Sequence, residues 1–303
     1  MHLIGLEHMN ATELSGYLDF AEEFLDERGR VCTPGRWRQS LADVSVALLF
    51  LEPSTRTRVS FELAAQRLGA SSVYLSADGT SLEKGESVLD TCRNLEAMGV
   101  GAFIVRHNQR ELAHQLTREL ETPIINAGNG SGEHPTQGML DALTLRRHFG
   151  SLQGLKVSIV GDVVHSRVAR SDAYALTKLG AEVTLAGPAM LLPAGKNWGE
   201  KRRVYNLDEA LEGADAVIVL RIQRERFVGE VVEVDAYIRD WSIDEEVVAR
   251  AMTPNAVIMH PGPVMRGVEL QDTIADGPRS LILHQVANGV AIRQAILARL
   301  LVR

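Results

Sequence analysis

The sequence predicts an α/β protein made of two doubly wound, parallel-sheet domains. Three features predict it. The chain's 303 residues exceed what one ordinary core organises, so two domains of about 150 residues each are expected. Short apolar runs alternate with longer amphipathic segments along the chain, as in α/β architecture with right-handed crossovers. Several runs, Val217-Ile218-Val219-Leu220 among them, are apolar without alternation, which is how strands covered on both faces of a parallel sheet read.

Taken in order, residues 10–27 read as an opening helix. Leu14, Tyr17, Leu18, Ala21 and Leu25 fall on one face, and Asn10 with Glu13 has the form of a capping box. Strands are expected at 44–51, 72–75, 102–105 and 123–126, then at 157–160, 182–185, 216–220 and 256–259. After the first strand, Ser54 opens a helix to Leu68 with Phe61, Ala64, Ala65 and Leu68 inward. A long helix starts near Pro135, and the domain boundary follows it at 149–154. Residues 227–241 are less regular and of mixed charge, so a mobile loop is expected there. Residues 283–302 form a strongly apolar helix that either completes the second domain or crosses back over the first. The division adopted is 1–149 with 284–303 packed back on it, and 150–283 as the second domain.

Composition narrows the function. Hydrophobic residues are 45% and charged residues 23%, an ordinary soluble profile. No stretch approaches the roughly 20 apolar residues of a membrane span, and residues 1–10 lack a secretory pattern, so a cytoplasmic protein with no membrane partner is expected. Cys32 and Cys92 form no metal-type cluster and fit a reducing compartment. The net charge of −7 argues against nucleic-acid binding, yet local arginine clusters still suit small anions.

The unusual residues gather after the strands. Run 44–51 is followed by Glu52-Pro53-Ser54-Thr55-Arg56-Thr57-Arg58, and run 102–105 by Arg106-His107. Run 123–126 leads to Gly128-Asn129-Gly130-Ser131-Gly132-Glu133-His134-Pro135-Thr136-Gln137. In the second half, Gly161-Asp162 and Ser166-Arg167, then Arg221-Ile222-Gln223, then His260-Pro261-Gly262-Pro263 hold the same place. Ligands of open parallel sheets bind beyond the carboxyl ends of the strands, and two domains whose sheet ends face each other would bring these residues into one active-site cleft.

Arg56 and Arg58 sit in a first helical turn, where the helix dipole favours negative charge. That placement makes sense around an anion, and free N–H groups, Ser and Thr hydroxyls and guanidinium forks together suit phosphate. Arg167 and Arg170 repeat the pattern. The glycines of 128–132 would let backbone approach a ligand closely, and a neutral His134 N–H could polarise a carbonyl oxygen. A G-x-G-x-x-G fingerprint is absent after run 157–160, so NAD binding is disfavoured. His260 and His284 lack metal-ligand spacing, and no G-x-S-x-G elbow is present.

Ser54-Thr55-Arg56-Thr57-Arg58 with Val59-Ser60-Phe61-Glu62, and Glu133-His134-Pro135-Thr136-Gln137, resemble two signatures of the aspartate and ornithine carbamoyltransferases. The resemblance runs from about Leu41 to the C-terminus. His260-Pro261-Gly262-Pro263 with Arg266-Gly267-Val268-Glu269 is similar to the aspartate-using branch, where ornithine enzymes show His-Cys-Leu-Pro. Ser81-Leu82-Glu83-Lys84-Gly85-Glu86 and Arg221-Ile222-Gln223-Arg224-Glu225-Arg226 resemble that branch's mobile loop and aspartate-binding segment.

The resemblance implies transfer of a carbamoyl group from carbamoyl phosphate to L-aspartate, the committed step of pyrimidine synthesis, without metal or cofactor. It implies phosphate held by Ser54, Thr55, Arg56 and Thr57, with Arg106 bridging phosphate and carbonyl. It places His134 and Gln137 on the carbamoyl group, Gly262 and Pro263 at its NH2, and Arg167, Arg221 and Gln223 on aspartate. Arg56, Thr57, Arg106, His134 and Lys84 would be catalytic. Lys84 and Ser81 would enter from the neighbouring subunit of a homotrimer with shared sites, itself open to regulatory or dihydroorotase chains.

Overall fold

The computed structural model describes residues 1–76, 81–195, 198–199, 201–223 and 233–302, with residues 81 and 82 described for their backbone only. It divides into two compact units, Met1–Leu140 with Ala287–Arg303, and Asp141–Val286.

The first unit opens with α1 (Ala11–Glu22). The capping box is present: the Asn10 side chain accepts from Glu13 N–H at 2.9 Å, and the Glu13 carboxylate accepts from Asn10 N–H at 3.1 Å. Helix α1 stops five residues short of the expected Glu27. Asp26 Oδ1 captures the N–H groups of Arg28 and Arg30 at 2.9 and 2.8 Å, and Leu25 bridges to Val31. A carboxylate offering such local acceptors competes with helical continuation. Leu25 is still buried, but in the turn that follows.

Then come β1 (Ser45–Phe50), α2 (Thr55–Arg67), β2 (Ser71–Ser76), a 3-10 turn at Ser81–Lys84, α3 (Val88–Ala97), β3 (Ala102–His107), α4 (Leu112–Glu119), β4 (Ile124–Asn129) and α5 (Pro135–Phe149). The sheet is parallel with order β2-β1-β3-β4. Its central strands are buried along their length and contribute Ala47, Leu49, Phe103 and Val105 to one core cluster. Phe61, Ala64, Ala65 and Leu68 of the α2 face are fully buried, and each large one contributes about 2 kcal/mol through removal from water.

The second unit holds β5 (Lys156–Val160), α6 (Arg167–Lys178), β6 (Glu182–Ala186), β7 (Arg202–Val204), α7 (Leu207–Leu211), β8 (Ala216–Val219), α8 (Val234–Trp241), α9 (Glu245–Ala251), β9 (Val257–Met259) and α10 (Asp272–Ala275). Its sheet is also parallel, in the order β7-β6-β5-β8-β9. Strand β7 was not expected: Arg202-Arg203-Val204 pairs with β6 alone, and an edge strand tolerates charge. The loop expected at 227–241 is corrected in part. Residues 224–232 lie outside the described residues, but Val234–Trp241 is a helix with Tyr237 and Trp241 buried at i, i+4 spacing. The final helix α11 (Ile282–Leu301) spans 20 residues, and its part from Ala287 onward groups with the first unit.

Candidate active site

Each sheet has one point where chain order reverses, and each point collects candidate residues. In the first sheet the reversal lies between β1, which leads outward to β2, and β3, which leads to β4. A crevice forms beyond the strand ends at such a switch. Phe50 pairs with Arg106, and Leu51 N–H donates to the Arg106 carbonyl at 2.9 Å, so residues 52–58 leave the sheet beside Arg106.

Helix α2 starts there, with Ser54 at its cap position and no side-chain bond closing that end. Thr55 and Arg56 are exposed, whereas Thr57 is buried. Arg58 is engaged elsewhere: its guanidinium lies 3.6 Å from Glu62 and 4.5 Å from the centre of the Tyr74 ring. Of the two first-turn arginines, Arg56 is the more exposed. Arg106 is 9% exposed; it donates to the Ala127 carbonyl at 3.2 Å and lies 3.8 Å from Glu52. A buried cation fixed this way keeps its direction without rearranging when charge develops nearby.

His134 and Gln137 open α5, and both are buried. His134 Nε2 lies 3.4 Å from Thr57 Oγ1, joining the starts of α2 and α5. Its Nδ1 lies 3.5 Å from Thr136 Oγ1, and that hydroxyl accepts from Arg293 at 3.1 Å. Thr57 and Thr136 thus flank the two ring nitrogens of His134. Arg293, on α11, also sits 5.1 Å over the Phe61 ring of α2. It is a positioning residue that the sequence reading missed, since a helix-period arginine near the C-terminus carries no local signal.

A side chain at Gly130 would collide with the Asn108 carbonyl, and one at Gly132 with Asn129 and Arg110. These glycines serve packing within the loop. Glu133 is also structural: its carboxylate accepts from Leu6 N–H at 2.7 Å and Glu7 N–H at 3.2 Å. That anchors the N-terminal segment, whose Leu3 bridges to Ile125.

In the second sheet the reversal lies between β5 and β8. Arg167 begins α6 and is 6% exposed; Ser166 caps the helix by accepting from Ala169 N–H at 3.1 Å. Arg221 and Gln223 follow β8 and are half-buried. Asp162, fully buried, ties the two strand ends together. Its Oδ1 lies 2.8 Å from His165 Nδ1 and accepts from His165 N–H at 3.3 Å, and its Oδ2 accepts from Gln223 N–H at 3.0 Å. The sequence marks Asp162 as a strand-end residue without revealing this role. Gly161 is required by crowding, since a Cβ there would lie 2.5 Å from the Leu220 carbonyl oxygen.

Beyond the neighbouring β9, Gly262 and Pro263 are joined by a cis peptide bond. Gly262 N–H donates to His260 Nδ1 at 2.8 Å, so His260 carries its proton on Nε2, which donates to Glu269 Oε1 at 3.1 Å. The same carboxylate oxygen accepts from Met265 N–H at 2.7 Å. His260 is thus a neutral strut of the turn. Lys84 is exposed at the end of its 3-10 turn in the first unit; the side chain of Ser81 lies outside the described residues. A cavity of about 490 Å³ in the second unit is lined by Lys156, Glu182 and Arg202, at the amino ends of the strands. It lies at the opposite edge of the sheet from these residues.

Comparison with known proteins agrees across the chain. Residues 1–147 match the family described as aspartate/ornithine carbamoyltransferase, carbamoyl-P binding domain, and residues 153–300 match the corresponding Asp/Orn binding domain. The aspartate carbamoyltransferase catalytic subunit of Koribacter versatilis is 46% identical over 303 residues, covering 99% of this chain and 97% of that protein. That of Thermus thermophilus is 46% identical over 301 residues, covering 99% and 98%. Among solved structures, Trypanosoma cruzi aspartate transcarbamoylase in complex with carbamoyl aspartate and phosphate has a TM-score of 0.87 at 28% identity, covering 98% of this chain and 94% of that one. Ornithine carbamoyltransferase from Pyrococcus furiosus has a TM-score of 0.85 at 29% identity, covering 98% and 96%. With both family domains in succession and full-length relatives near half identity, this chain belongs to the aspartate/ornithine carbamoyltransferase family.

Proposed function

We propose that the chain transfers the carbamoyl group of carbamoyl phosphate to the amino group of L-aspartate, giving N-carbamoyl-L-aspartate and phosphate for pyrimidine synthesis in the cytoplasm. The observation that carries this reading is the contact of Thr57 with His134 beside the switch point of the first sheet, where Phe50 pairs with Arg106 and Arg56 precedes Thr57 in the first turn of α2. The similarity to aspartate-branch relatives favours aspartate over ornithine.

In this reading the first unit takes carbamoyl phosphate. Ser54, Thr55, Arg56 and Thr57 hold the phosphate, Arg106 spans phosphate and carbonyl oxygen, and His134 donates an imidazole N–H to that oxygen while Gln137 contacts the carbamoyl amide. The second unit takes aspartate through Arg167, Arg221 and Gln223, and offers backbone carbonyls of Gly262 and Pro263 to the carbamoyl NH2. The aspartate nitrogen bonds to the carbamoyl carbon, and the carbon–oxygen bond to phosphate breaks. The departing phosphate takes the amine proton. Preorganised donors at the oxyanion are worth about 3 kcal/mol each.

A homotrimer with shared sites completes the proposal. Tyr74 and Val73 on edge strand β2 are each 45% exposed, and Leu63 and Val59 on the adjacent α2 are 40% and 37% exposed. Parallel strands are ordinarily covered on both faces, and an apolar patch of this kind suits a second copy. The chain passes from β2 to Lys84 within eight residues, so Lys84 and Ser81 would be delivered to the neighbour.

The test is product formation by the purified chain with carbamoyl phosphate and either L-aspartate or L-ornithine. Carbamoyl aspartate alone supports the reading. Citrulline moves the chain to the sister activity, and neither product rejects catalysis by the chain alone.

A further inference from the structure

Two carboxyl groups of the second unit have no part in this chemistry. Asp141 lies on α5 and Asp172 on α6, and both are fully buried. Both oxygens of Asp172 are buried without a hydrogen-bond partner among the described residues, and the carboxyl beside them is that of Asp141. Asp141 Oδ1 accepts from Gln285 Nε2 at 2.6 Å, and Gln285 Oε1 accepts from His260 N–H at 2.9 Å. Two ionised carboxylates offer each other only acceptors and repel. One proton turns the same contact into an O–H···O bond between a carboxylic acid and a carboxylate, which is short and strong.

We propose that Asp141 and Asp172 share one proton at neutral pH, forming a proton-dependent clasp between α5 and α6 that positions Arg167 and, through Gln285, the 260–263 turn. The positioning half rests on the functional reading above; the shared proton does not. Arg167 begins the helix that carries Asp172 one and a half turns later, and Gln285 joins Asp141 to the backbone of His260.

Burial first, and then the Asp141 charge, hold the Asp172 carboxyl well above its ordinary value of 3.8. The ionisable group bearing on Asp172 is Asp141 from α5. Helix α11 contributes the neutral Gln285, and His260 from the end of β9 joins the chain of bonds through its backbone. On α6 itself, Arg170 turns to the Trp198 ring, 4.5 Å from its centre. With the folded value raised, the proton's contribution to stability is full below the unfolded value and is lost as pH rises through the folded one.

The test uses Asp172→Asn in the full chain, because its amide donates to Asp141 without a titrating proton. Denaturant unfolding from about pH 6 to about pH 9 should show wild type losing stability relative to the variant, with a slope difference approaching one proton. Parallel curves would overturn the proposal. Infrared difference spectra of aspartate-labelled protein at neutral pH should show a protonated-carboxyl stretch in wild type that the variant lacks. Its absence from wild type would overturn the shared proton whether or not the chain is active. For positioning, the ratio of wild-type to variant KM for aspartate should climb with pH while the kcat ratio stays level. A pH-independent KM ratio in an active enzyme would overturn that half.

Discussion

Asp162→Ala probes how the second unit assembles its strand ends. The carboxylate is fully buried and makes three contacts: two with His165, through the ring and the backbone N–H, and one with the Gln223 N–H. Removing it forfeits about 1 kcal/mol for each hydrogen bond and leaves two half-buried N–H donors to find water, so about 3 kcal/mol is expected. Asp162→Asn keeps the shape and one acceptor while turning an amide toward one donor, and about half that loss is expected. Trp198 and Trp241 are buried in this unit, so their fluorescence reports its unfolding in denaturant. Because Gln223 N–H is released beside Arg221, the KM for aspartate should rise at least tenfold, while carbamoyl phosphate binding to the first unit changes little. If Asp162→Ala stays within about 1 kcal/mol of wild type and its KM for aspartate is unchanged, the tie between the two strand ends does not position the site.

Three further outcomes are expected. Arg56→Ala should cut kcat by about 10²–10³ with stability within about 0.5 kcal/mol of wild type, because the side chain is exposed; reassembly with Lys84→Ala chains should restore part of the activity, and well-mixed oligomers without recovery would argue against shared sites. Tyr74→Asp puts charge into the exposed β2–α2 patch and should shift sedimentation from trimer to monomer; an unchanged trimer would place the interface elsewhere. Burial pushes the Cys92 thiol up to about 12, so iodoacetamide at mildly alkaline pH should label the half-buried Cys32 and leave Cys92 intact until the protein unfolds.

The strands were legible because apolar runs such as Val46–Leu49 and Val217–Val219 are local signals, and the inward face of α2 was legible from the spacing of Phe61, Ala64, Ala65 and Leu68. The strand-end arginines and histidines stood out because cations in a first helical turn oppose the dipole and call for an anion. Other features depend on residues far apart in the chain. Strand β7 exists because β6 offers it an edge, and its own three residues carry no strand pattern. Helix α8 looked irregular until Tyr237 and Trp241 found a core to enter. Glycines 130 and 132 are held to their identity from outside the loop's own pattern, because Asn108, Asn129 and Arg110 crowd the space a side chain would need. Periodicity and caps are written within a dozen residues, so the sequence by itself determined the type of the strongly patterned elements, the two-domain plan and which residues follow the main strands. Strand order, the engagement of Arg58 by Glu62 and Tyr74, the contact of His134 with Thr57 and the burial of Asp141 and Asp172 arise where distant segments meet, and there burial and hydrogen-bond geometry, which only the tertiary structure sets, decide.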